Sequence, residues 1–294
     1  MGKHFSILIF AQRSLINLDR CFDVAFERSC RKDLFWCWFD LPNPDTELCI
    51  HSYNIHGKLP LMVSQWQTQT MIKPIQTLTQ ALYDLATYPE YAEPLRQEAA
   101  CLVKCDGWTN AAINKMDKMD SFLKESMRVN TISQRTWYIY RLQNFSSLWL
   151  FSLVTMPRIA LKNYTFAETG TLIPKGTFLN VATHDAHFDP DTYPDPTTFD
   201  GFRFYKLKSQ AVGNERYFDV TTTSTKSLSF GTGVHACPGR FFAANELKLM
   251  LAHVVLNYDI KFENGGVVRP LNKCFKESTI PDPTIKLLFR KRKN

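Results

Sequence analysis

One cysteine in this chain stands where a sulfur could act rather than pack. Residues 229–239 read SFGTGVHACPG and run directly into RFFAANELKLML, an apolar stretch with helical spacing. Gly231 and Gly233 have no side chain, so the backbone can turn tightly there and approach a flat partner closely. Pro238 has no amide hydrogen and suits a first helical turn. Cys237 is thereby expected at a helix N-terminus, where free amides and the helix dipole favour a thiolate over a thiol. Such a thiolate is a good ligand for a soft or borderline metal. The competing reading of Cys237 is a small, inert, buried hydrophobe.

The rest of the cysteine usage narrows the choice of metal. The chain has eight cysteines, irregularly spaced and with no C-x-x-C pair, which argues against a structural zinc site. A single sulfur ligand without metal-spaced partners points to haem iron. The irregular spacing also argues against a disulfide framework and for a reducing compartment. A second constellation lies upstream, in KESMR, where Glu125 and Arg128 are three residues apart and share a helix face. By itself that pair is an ordinary solvated ion pair.

The elements that must position these groups are legible from about residue 75 onward. Ile75, Leu78, Leu82 and Leu85 have helical spacing, as do Leu95, Ala99 and Leu102, with a new helix beginning at Pro89. A third helix is expected over about 109–129. RIALKNYTF and LIPKGTFLNVATHDAHF read as strands, and FDPDTYPDPTTFDGFRF as a meander with no regular element. PGRFFAANELKLMLAHVVLNY is a strong helix with Ala243, Leu247, Met250 and Val254 on one face, followed by strand-like runs in YDIKFE and TIKLLFRKRK. The first seventy residues show no sustained period. The fold class expected is mainly α with small β-sheets, α+β.

Composition excludes several classes of function. With 294 residues, 45% of them hydrophobic, the chain can bury a sizeable core. The net charge of +7 is modest and much of the basic excess sits in the terminal FRKRKN, with no basic stripe interleaved with aromatics, so nucleic acid is not an expected partner. FSILIF and the apolar run at 145–154 fall far short of the ~20 residues that a spanning helix needs, and no secretory signal is expected.

FGTGVHACPG resembles the haem-binding loop of the cytochrome P450 family, Phe-x-x-Gly-x-x-x-Cys-x-Gly, with Phe230, Gly233, Cys237 and Gly239 filling its defining positions. The resemblance makes Cys237 the axial ligand of haem iron. It makes Gly231 part of the same loop and Arg158 and His235 partners of the haem propionates. It also joins Glu125 and Arg128 to Arg203, in FDGFRF, as a buried structural triad. The fold implied is the proximal, C-terminal part of a P450 domain, over residues ~75–133 and ~153–294, with 1–74 unassigned. The implied reaction is a monooxygenation of a hydrophobic small molecule by haem b (iron protoporphyrin IX) and dioxygen. ALYDLATYPEYAEPLRQE is similar to fungal members acting on terpenoids or other secondary metabolites. Electrons would come from NADPH–cytochrome P450 reductase, and the family's place is the cytosolic face of the endoplasmic reticulum; without an anchor the place of this chain would be cytoplasmic or unknown.

The sequence departs from that pattern in three ways. The half that would cover the distal haem face is not recognisable, so the chain reads as truncated. Lys73 and Pro74 stand where the family places its oxygen-activating threonine, and Pro74 is expected to break the helix. Residues 134–152, QRTWYIYRLQNFSSLWLFS, interrupt an otherwise continuous family-like run and read as an insert of translated intron or of this lineage. Two readings stay open at this point, a haem-thiolate monooxygenase and a truncated, non-catalytic remnant that binds haem weakly or not at all.

Overall fold

A computed structural model describes residues 5–7, 59–131, 154–263, 265–266, 268–275 and 278–292. The proposed insert at 134–152 and most of the unassigned N-terminal segment lie outside the described residues. Among the described residues, helices dominate and the sheets are small and antiparallel, as the α+β expectation requires. The chain divides into two compact units. One comprises residues 1–120, 243–270 and 283–294, and the other 121–242 and 271–282.

The first unit holds α1 (Leu59–Thr87), α2 (Ala92–Asp106), α3 (Asn110–Asn114), the start of α4 (Asp117–Val129) and most of α7 (Arg240–Asn257). Its sheet has the order β1-β9-β6, from Phe5–Ile7, Leu287–Lys291 and Tyr258–Phe262. Phe289 pairs with Ile260 on one side and Phe5 on the other. Leu82, Leu95, Ala99, Leu247, Leu251, Phe262 and Leu287 are fully buried and make the core. Tyr83 meets Phe262 edge-on at 5.8 Å, a favoured aromatic geometry.

Three helix expectations need correction. α1 does not break at Pro74 but runs through it from Leu59 to Thr87. A long helix tolerates one lost amide bond when its other turns hold, and the Thr77 and Thr79 hydroxyls bond back to the Lys73 and Ile75 carbonyls at 2.9 Å. The single helix expected over 109–129 is two, α3 and α4. Glu98 of α2 causes the restart: its carboxylate accepts the Lys118 and Met119 amides at 2.8 and 3.0 Å, satisfying first-turn donors that would otherwise stay unpaired. On α7 the buried line is Ala244, Leu247, Lys248, Leu251 and Val255, whereas Ala243 and Met250 are only half-buried.

Lys248 is charged and yet almost wholly buried, and it is held by an ion pair with Asp120, itself 8% exposed. Removing one partner of such a pair strands the other charge at a cost of about 3–5 kcal/mol, whereas replacing both by apolar groups is often near neutral. Urea unfolding should therefore show Asp120→Leu to be strongly destabilised and Asp120→Leu with Lys248→Met to recover most of the loss. Additive losses in the double variant would refute the pairing.

The second unit carries the remainder of α4, three antiparallel strand pairs and the segment around Cys237. β2 (Val154–Ile159) pairs with β5 (Phe178–Ala182), β3 (Tyr164–Thr165) with β4 (Leu172–Ile173), and β7 (Lys273–Phe275) with β8 (Ser278–Ile280). The strand expected to continue to residue 188 stops at Ala182, and Thr183–His187 form the short helix α5. Both ends of that turn are buried, with Thr183 hydrogen-bonded to Thr155 of β2 and His187 in the core, so tertiary contacts override the local preference. Residues 189–202 are irregular as expected, but Arg203–Gln210 form α6.

Candidate functional site

Glu125 is the centre of the second unit. Its carboxylate is 0% exposed and accepts Arg128 in a two-pronged pairing, Nε to Oε2 and Nη2 to Oε1, both at 2.8 Å. Arg203 Nε and the Asp200 amide reach Oε1 at 3.1 Å from the other side. The structure thus brings together all three residues of the triad. Four donors on one carboxylate, two of them in the parallel geometry only a guanidinium offers, make its burial tolerable.

The remaining guanidinium hydrogens act on the irregular segment. Arg128 Nη1 donates to the carbonyls of His187 and Pro196 at 2.7 and 2.8 Å. Arg203 reaches Pro194, Asp195 and Thr198 at 2.5, 3.2 and 2.9 Å. A stretch with no ladder of its own thereby has its carbonyls satisfied, and the rings of Phe188 and Tyr193 flank the Arg128 cation at 5.3 and 5.1 Å.

His187 is the residue that sequence reasoning missed. Its ring is 1% exposed, and its Nε2 accepts the Leu228 amide at 3.0 Å, so that nitrogen carries no proton. The hydrogen of the neutral imidazole is then on Nδ1 and donates to Thr131 Oγ1 at 2.8 Å, while the Thr131 hydroxyl donates to the Arg128 carbonyl at 3.0 Å. Burial pulls the pKa of His187 down to about 4. Nearby, Tyr193 donates its hydroxyl to the Lys226 carbonyl at 2.7 Å, and burial raises its pKa to about 12, keeping the donor protonated. His187 and Tyr193 thus hold the chain that leads into the Cys237 loop. The only sequence signal was two histidines in THDAHF, which have no periodicity.

The loop itself is tied by backbone. Gly231 N donates to Leu228 O and Cys237 N to Phe230 O, both at 2.8 Å, around a single 3-10 turn at Gly233–His235. Gly231 and Gly233 have φ of 72° and 67°, left-handed values that favour glycine. Gly231 is also approached: a Cβ there would meet Met156 Sδ and His235 O, each at 3.7 Å. Met156 itself has a φ of 55°, at the bulge between Thr155 and Arg158 that re-aims β2. α7 begins at Arg240, so Cys237 and Pro238 precede the helix instead of forming its first turn. Pro238 and Gly239 occupy a turn closed by Arg240, whose side chain and amide both reach the Cys237 carbonyl, at 2.9 and 3.5 Å.

Cys237 is half-buried and not in a disulfide. Phe230 is half-buried, His235 and Gly239 are exposed, and Arg158 lies exposed on β2 opposite Leu179. Among the described residues no three histidine, cysteine or carboxylate groups cluster as a metal site. Nothing lies within 4 Å of the Cβ positions of Gly233 and Gly239, so the loop presents open backbone beside its sulfur. One soft donor on such a loop fits a group needing a single thiolate.

Residues 149–289 match the family model for cytochrome P450. The chain is 45% identical over 217 residues to cytochrome P450 monooxygenase 151 of Postia placenta, covering 74% of this chain and 39% of the relative. It is 39% identical over 220 residues to ent-kaurene oxidase P450-4 of Gibberella fujikuroi, with the same coverage of each. Over the matched residues the chain fits the cytochrome P450 family, and it spans about two-fifths of the length of these curated relatives.

Two measurements test the site. Glu125→Ala and Arg203→Ala should each lower unfolding free energy by about 3–5 kcal/mol, and together by clearly less than the sum. Small, independent losses would contradict the triad. Because His187 titrates lower when folded than its usual ~6.5, the unfolded chain binds more protons between pH 6.5 and 4. Its contribution is therefore complete above pH 6.5 and is lost as pH falls to about 4, by on the order of 3 kcal/mol. Unfolding curves of wild type and His187→Gln across that window should diverge at neutral pH and converge in acid.

Proposed function

We propose that this chain supplies the proximal part of a haem-thiolate monooxygenase, with Cys237 as the axial ligand of the iron. The observation that carries the reading is the Cys237 loop, a lone sulfur on a glycine-turned backbone in a chain that matches this family. The haem is of the b type, with Arg158 and His235 holding its propionates and Phe230, Gly231, Gly233 and Gly239 forming the loop beside it. When bound, the group would use dioxygen, two electrons and two protons to place one oxygen atom in a C–H bond and release the other as water. The residues of this chain act by holding. Cys237 donates charge to the metal, and the His187–Leu228 bond and the Glu125 triad keep its loop in register.

The substrate is a hydrophobic secondary metabolite, with terpenoids favoured because one of the relatives is an ent-kaurene oxidase. Electrons come from NADPH–cytochrome P450 reductase. Among the described residues no helix is long and apolar enough to cross a membrane; the endoplasmic-reticulum surface is the family's site. A second reading is a remnant that binds haem weakly and turns over nothing. Lys73 and Pro74 favour it, because neither side chain offers a hydroxyl on α1.

Haem-reconstituted protein, reduced and exposed to carbon monoxide, should show the red-shifted Soret band of a thiolate ligand, and Cys237→Ser should abolish it. A Soret position typical of histidine ligation would remove Cys237 as ligand. Failure to take up haem at all would favour the remnant.

A further inference from the structure

Helix α2 buries Leu95 and Ala99 and turns an opposite ridge outward, Glu93, Gln97, Cys101 and Cys105, each four residues from the last. The two cysteines on it are exposed and neither is in a disulfide. Cysteine is among the residues most often buried, and two on one outward ridge have no packing role to explain them. At i,i+4 their Cβ atoms are ~5–6 Å apart. A disulfide needs ~3.5–4.5 Å between those atoms, so the helix holds this pair too far apart for a direct S–S bond. The gap suits one bridging atom bonded to both sulfurs.

We propose that Cys101 and Cys105 form a two-sulfur site for a soft, thiophilic centre, with arsenic(III) bearing one organic substituent as the fitting class. Such a centre needs only two protein bonds, consistent with no third cysteine, histidine or carboxylate being grouped there among the described residues. The step is a condensation without redox change. Two S–H bonds break, two As–S bonds form, and the arsenic oxide oxygen leaves as water with both protons. Helix α2 is intact at this point, from Ala92 to Asp106, and Gly107 ends it by donating to the Val103 carbonyl at 2.9 Å, so the ridge is rigid when the reagent arrives.

The test is native intact-mass titration of the full chain with phenylarsine oxide, followed by peptide mapping. Wild type should carry an adduct that has lost water, on the peptide spanning both cysteines, displaced by ethanedithiol but not by a monothiol. Cys101→Ser, Cys105→Ser and the double variant should lose that adduct alike, with retention about a hundredfold weaker, because chelation depends on the second sulfur being tethered. Each variant keeps the remaining cysteines, including Cys237, as internal controls. The proposal is overturned if the double variant binds as many equivalents as wild type, or if either single variant retains the dithiol-specific adduct.

Discussion

A carboxylate with no access to water needs its charge balanced locally, and Glu125 has that balance from two guanidinium groups and one amide. Two cations against one anion leave an excess positive charge, which the structure disperses onto five backbone carbonyls at His187, Pro194, Asp195, Pro196 and Thr198. The arrangement is mutually dependent. Without Glu125 the arginines would repel each other in a dry interior, and without the arginines the proline-punctuated meander would bury unsatisfied carbonyls. Helical geometry brings Glu125 and Arg128 to one face, while Arg203 arrives from the first residue of α6.

That frame extends to the cysteine loop through bonds of different kinds. His187 contributes its carbonyl to Arg128 and its ring to Thr131 and Leu228, so one residue links the end of α4 to the chain three positions before Gly231. Keeping the imidazole neutral is what allows it to accept the Leu228 amide, and burial enforces neutrality at physiological pH. Tyr193 adds a second tie at Lys226. From there the loop needs only its own backbone bonds, with Gly231 and Gly233 adopting the left-handed turns that bring Cys237 back towards Phe230.

The two compact units use charge in similar ways. In the first unit Lys248 is buried against Asp120, and Arg269 pairs with Asp84 and Gln80 of α1. Arg96 donates to the Val255 carbonyl at 2.7 Å and also meets Asp259. In each case a long cationic side chain joins a helix to another segment through carbonyls or carboxylates that apolar packing alone would leave open. Charged groups here are joints, and the leucine- and phenylalanine-rich faces supply the bulk of burial.

Much of this was legible in the chain. Apolar periodicity marked the residues 75–87 part of α1, α2 and α7, and the glycine spacing around Cys237 indicated a turned loop before a helix, because these signals are local and repeat with the period of the element. Glu125 and Arg128 could be placed on one face for the same reason. What tertiary structure decided has no period. Pro74 sits inside a helix, Glu98 starts α4 from another helix, α5 replaces the end of a strand, and His187 becomes a buried acceptor. Each depends on a partner distant in sequence, Asp200 and Arg203 for Glu125, Leu228 for His187. A linear pattern records which residues share a face, but hydrogen-bond satisfaction in the interior is decided by where other segments bring their donors.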